Sequence, residues 1–145
     1  MSNNNKKQLE LLKKEINWWE TNLNTQPKDT KLYNDLMTPK NSFLCSMYNN
    51  ENLLNRDCTD CPVCKCTGRQ YCEGTPYVNI IKEHDDLLAQ QDKISETENK
   101  ILKEIFLREL TIVELKLYQT CCDYWRFLKY QVLPFTINQE KNELH

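Results

Sequence analysis

Six of the eight cysteines in this 145-residue chain fall between positions 45 and 72, in the order Cys45-x12-Cys58-x2-Cys61-x2-Cys64-x1-Cys66-x5-Cys72. The surrounding stretch, residues 40–77, also holds both glycines and two of the five prolines, and it shows no clean period of 2 or 3.6. Such a segment has no apolar face to bury, so it keeps a shape only when it is stapled. Zinc does this with deprotonated thiolates that converge tetrahedrally at ~2.3 Å, and a short C-x2-C turn delivers two sulfurs to one point. Two overlapping pairs are present, Cys58/Cys61 and Cys61/Cys64. Six candidates compete for four positions, and spacing alone does not choose among them. Pro62 stiffens the turn, and Gly68 and Gly74 permit tight backbone; Asp57 and Asp60 would add like charge beside thiolates and have no ligand role.

Other cysteine chemistries fit less well. A disulfide framework suits an even count but needs an oxidising compartment. The N-terminus, Met1-Ser2-Asn3-Asn4-Asn5-Lys6-Lys7, is polar and leads into an amphipathic pattern, which points to the cytoplasm and a reducing milieu. Cys61-Pro62-Val63-Cys64 matches a thioredoxin-type pair, yet no βαβ pattern surrounds it. Iron–sulfur ligation by four cysteines remains compatible with the spacing. Cys121-Cys122 lies in a helical stretch, where cysteine is most often a small buried hydrophobe.

Outside the cysteine segment the chain reads as helix. Two glycines are far below the usual ~7%, which argues against a β-sandwich or a Rossmann sheet. Leu9, Leu12, Ile16, Trp19 and Leu23 form one stripe of a 3.6-period helix that ends before Pro27. Lys28–Met37 offers a short second helix through Leu32, Tyr33, Leu36 and Met37. Ile80, Leu87, Ile94 and Ile101 recur every seven residues beside a second row of Ile81, Leu88 and Leu102, so residues 78–131 are predicted helical. As one rod, that span would reach ~80 Å, more than the N-terminal helix covers. The stripe is therefore expected either to fold back at a bend near Ser95 or Thr120, or to pair with a second copy, the dimer being slightly favoured. Ser95-x-x-Glu98, Thr111-x-x-Glu114 and Thr120-x-x-Asp123 match capping boxes and mark candidate breaks. The expected fold is mainly α: an N-terminal helical part (1–39), a zinc-stapled knuckle (40–77), a coiled-coil or hairpin arm (78–133) and a polar tail (134–145).

The order of features resembles a family of small, uncharacterised cysteine-motif proteins of phage and prophage genomes. The likeness rests on Trp18-Trp19, Phe43-Leu44-Cys45-Ser46-Met47-Tyr48, Cys58-Thr59-Asp60-Cys61-Pro62 and Cys72-Glu73-Gly74-Thr75-Pro76-Tyr77, over about residues 10–90. It departs at Ser42, where the family usually has a cysteine. The resemblance implies Cys45, Cys58, Cys61 and Cys72 as ligands, with Cys64 and Cys66 as spares, and a viral source; it implies no activity.

Catalytic motifs are thin. His84 and His145 are the only histidines, His84 sits among charged helical neighbours and is expected to be solvated, and no P-loop, G-x-S-x-G or G-x-G-x-x-G occurs. A net charge of −2 lacks the global basic footprint of a nonspecific nucleic-acid binder. Locally, Arg56, Lys65 and Arg69 with Tyr48, Tyr71 and Tyr77 form a candidate stacking and phosphate surface, offset by Glu51, Asp57, Asp60 and Glu73. Trp125, Phe127, Tyr130 and Phe135 read as helix-packing residues. No apolar run approaches the ~20 residues that span a bilayer. The expectation is a non-enzymatic zinc protein that acts by protein–protein contact, through a host or viral partner or as a homodimer via Ile80, Leu87, Ile94 and Ile101. Inhibition of a host defence system suits its size; a zinc-ribbon-like DNA or RNA binder is the alternative.

Overall fold

A computed structural model describes residues 2–24, 44, 61–69 and 72–143. The expected helix over 28–37 and the ligand candidates Cys45 and Cys58 lie outside the described residues.

The described residues include, in order, α1 (Ser2–Asn24), α2 (Pro62–Thr67), α3 (Pro76–Glu96), α4 (Lys100–Phe127) and α5 (Leu133–Glu143). A π-helical turn, Leu128–Val132, joins the last two without a break. The fold is mainly α, with no strand among the described residues.

The long apolar pattern after Pro76 is a hairpin. Thr75 caps α3, accepting from the Tyr77 amide at 3.3 Å while its hydroxyl donates to the Cys72 carbonyl at 2.7 Å; Pro76 takes the first position, where no N–H is missed. At the far end the Thr97 amide donates to the Ile94 carbonyl, and two residues later Asn99 accepts from the amides of Ile101 and Leu102 at 2.9 and 3.3 Å, starting α4. The chain thus reverses close to the expected bend at Ser95, but the cap is Asn99. Thr111 and Thr120 cap nothing: their hydroxyls donate to the Leu107 and Lys116 carbonyls at 3.2 and 3.0 Å, and α4 runs through both. Antiparallel register is visible in side-chain pairs along the seam. Gln90 Nε2 donates to the Phe106 carbonyl at 2.9 Å and to Glu109 Oε2 at 3.2 Å, Lys93 Nζ lies 4.6 Å from the Phe106 ring centre, and Tyr77 stacks on Tyr124 at 4.8 Å.

Hairpin formation reassigns the seven-residue stripe. Ile80 and Leu87 are buried in the one core cluster, Ile94 is half-buried, and Ile101, just past the turn, is exposed. Ile80 and Leu87 are therefore covered by the chain itself and do not present a partner surface.

The expected tail is also different. Pro134 has no N–H to return to the Tyr130 carbonyl, so an α-helix would lose a bond there. The π turn absorbs the defect: the Leu133 amide reaches back five residues to the Leu128 carbonyl, and Thr136 donates to the Val132 carbonyl at 2.8 Å. Leu128 and Val132 stay fully buried. The helix continues to Glu143 because α1 packs along α4, the π turn and α5.

α1 buries Leu12, Ile16, Trp19 and Leu23 in that packing, as its stripe predicts. Trp19 meets Trp18 and Tyr124 edge-on at 4.9 and 5.6 Å. Tyr118 donates to the Leu23 carbonyl at 3.2 Å, and Lys129 reaches Glu20 at 3.4 Å. Two polar residues share the buried side, Gln8 and Glu15.

Candidate metal centre

Where α1, α2 and the π turn meet, two cysteines of the segment lie in the core. Cys61 is the N-cap of α2 and Cys64 its third residue, one turn apart, and both are buried beside Pro62 and Val63. The Lys65 amide donates to the Cys61 carbonyl at 2.9 Å. Gly68, at φ +74°, ends the helix and returns its amide to the Cys64 carbonyl at 2.6 Å. A six-residue helix is too short to persist alone. It is held from both sides: Lys65 Nζ donates to Gln8 Oε1 of α1 at 3.3 Å, and Val63 inserts into the core. The loop-rich segment thus contains a helix that its lack of period did not reveal.

Cys66 faces elsewhere. Its thiol donates to the Gln131 carbonyl of the π turn at 3.9 Å, and partial burial pushes the thiol pKa up. Cys72 is half-buried in the left-handed region at φ +58°, a conformation that costs a non-glycine residue roughly 1–2 kcal/mol. Gly74, at φ +81°, shapes the same turn into the Thr75 cap. A methyl group there would lie 3.2 Å from an Arg69 guanidinium nitrogen, so the turn leaves little room.

The donor set fits a zinc site in part. Cys61 and Cys64 stand at the spacing and on the single turn from which two thiolates converge. Cys72 is described but not gathered with them, and no group of three Cys, His, Asp or Glu converges among the described residues.

Beside this centre is a residue that sequence reasoning missed. Glu15, on α1, is buried and accepts from the Leu44 amide at 2.7 Å, so it ties the residue just before Cys45 to α1. Nothing in a lone helical Glu distinguishes it from a solvated one. Leu44 is itself buried in the core.

The remaining thiols, Cys121 and Cys122, sit in and against the core. Cys121 is fully buried, and desolvation first, then the neighbouring Cys122 and Glu83, drive its pKa far up, so it stays a protonated hydrophobe. Burial also raises Cys122 against the opposing pull of Tyr118 and Arg126. His84 is half-buried rather than solvated, and it has an interaction partner. Tyr124 and Phe127 pack ring on ring at 6.4 Å, whereas Tyr130 is exposed. Among the described residues no helix is long and apolar enough to cross a membrane. No protein-family model, no curated protein and no solved structure matches the chain.

Proposed function

We propose that this chain is a zinc-stapled helical protein that works by binding another protein and carries out no chemistry of its own. The buried Cys61–Cys64 pair supports it, one turn apart and clamped between α1 and the π turn. Two further thiolates from Cys45, Cys58 and Cys72 complete the set, and Cys66, committed to the Gln131 carbonyl, is left out. Bound zinc supplies structure here: it fixes a segment that has no hydrophobic core of its own, and metal binding and folding are then one event. Contact as the mode of action draws support from the hairpin, which exposes Val78, Ile81 and Leu88 on α3 and several branched residues on α4. The small size, with the viral source that the resemblance to phage cysteine-motif proteins implies, suits host defence or transcription machinery as the partner class.

Elemental analysis of protein purified in reducing buffer tests the metal. About one zinc per chain is expected. Cys61→Ser and Cys64→Ser should each lose it, while Cys66→Ser and Cys121→Ser keep it. Metal-free protein that is fully folded refutes the proposal. A gel shift that weakens steeply with salt would transfer the contact role to nucleic acid.

A further inference from the structure

Helix α4 is apolar on two opposite sides, and the hairpin uses only one. Leu110, Val113, Leu117 and Cys121 face the α3 seam, buried or half-buried. On a 3.6-residue helix their mean direction is about 160° from a second stripe, Ile101, Ile105, Ile112 and Leu115, which spans about 80° of arc. These four are 72%, 44%, 67% and 58% exposed. A helix apolar all round is normally covered all round.

The second stripe has a coiled-coil spacing. Positions 101, 105, 108, 112, 115, 119 and 122 alternate steps of four and three, the a/d pattern, filled by Ile, Ile, Arg, Ile, Leu, Gln and Cys. Along one edge, in e positions, lie Glu109 and Lys116, seven residues apart and both exposed; Glu109 stands between the seam and the outer stripe, its Oε2 also accepting from Gln90 of α3 at 3.2 Å. This pattern is complementary to itself when reversed. In an antiparallel pair a residues meet d residues, so a two-fold axis between Ile112 and Leu115 sets each Ile112 against the partner's Leu115. The same register puts Ile105 opposite the partner's Cys122 and Arg108 opposite the partner's Gln119. It also brings each Glu109 to the partner's Lys116, giving two symmetric ion pairs. The register one heptad back instead sets Glu109 against the partner's Glu109, so charge selects between them.

We infer that the outer stripe of α4 is an isologous, antiparallel dimer interface between two copies of this chain. The interface lies on the side of α4 away from the α3 seam and does not depend on the cysteine centre. Its failure and that of the zinc reading are therefore separable by metal content.

Light scattering on the full, zinc-replete chain tests it between ~5 and ~200 μM. The expected mass rises from 17.4 kDa toward about 35 kDa. Ile112→Asp/Leu115→Asp should stay at the monomer mass with unchanged helical circular dichroism, since both sites are exposed. Glu109→Lys should weaken dimerisation about tenfold, and Glu109→Lys/Lys116→Glu should restore it. A monomer at every concentration overturns the inference. A dimer that survives Ile112→Asp/Leu115→Asp overturns it too.

Discussion

Ile80→Asp is expected to unfold the protein, and Ile101→Asp to leave the unfolding free energy of the single chain within about 0.5 kcal/mol. The two positions belong to the same seven-residue row, and only the fold separates them. Ile80 is fully buried, with Glu83 buried one turn further along α3, so a new carboxylate there is taken out of water beside a second buried carboxyl group. An unpaired buried charge costs about 4 kcal/mol or more, a large part of the 5–15 kcal/mol that holds a small domain together. Ile101 is mostly in solvent. Urea melts of the two variants make the comparison; if Ile80→Asp melts near the parent midpoint, the α3–α4 seam is not where the structure puts it.

Trp19→Ala should cost about 3–5 kcal/mol, the loss typical of deleting a fully buried aromatic. Trp19 joins α1 to the Tyr77–Tyr124–Phe127 ring stack through its edge-on contact with Tyr124. Its neighbour separates packing from mere aromatic content: Trp18 is half-buried, so Trp18→Ala should lose only about 1–2 kcal/mol. Trp19→Phe is informative for another reason. The Trp19 indole N–H is buried without a hydrogen-bond acceptor among the described residues, so the change sacrifices volume but also removes a desolvated donor. Its cost should fall well below that of Trp19→Ala. Equal losses for Trp18→Ala and Trp19→Ala in chemical denaturation would contradict the described core.

The helices were legible because their signals are periodic and local. Leu12, Ile16, Trp19 and Leu23 specify the buried side of α1 without reference to anything else, and the length of the apolar row called for cover, by a bend near Ser95 or Thr120 or by a second copy. What covers that row was not legible. A stripe of Ile80, Leu87 and Ile94 is equally satisfied by the chain's own α4 or by a second molecule, and the choice rests on three residues, Thr97 to Asn99, whose polar side chains cap helices and also occur on exposed helical faces. The continuation through Pro134 was hidden for a related reason. A proline reads as a stop, and only the packing of Leu128 and Val132 against α1 makes a π turn worth its poorer geometry. At the cysteines, C-x2-C spacing marked the pairs Cys58/Cys61 and Cys61/Cys64 but could not show that Cys64 is buried while Cys66 meets a backbone carbonyl 65 residues away. Glu15 was beyond reach, since its partner is an amide, which every residue has.

The docking of α1 has a consequence for how the chain is made. Its contacts are among the most distant in the sequence: Tyr118 to Leu23 and Lys129 to Glu20 are separated by 95 and 109 residues. The α3–α4 seam, closed by a three-residue turn, is local by comparison. Closing a short loop is fast, and closing a long one is slow. At about 5–20 residues per second, α1 waits on the order of 5–20 s on the ribosome, its tryptophans wet, before its binding surface exists. The hairpin is therefore the template and α1 the late arrival. Pulse-labelled hydrogen exchange should find the amides of α3 and α4 protected before those of α1; the reverse order would mean that α1 nucleates on something other than the surface it finally occupies.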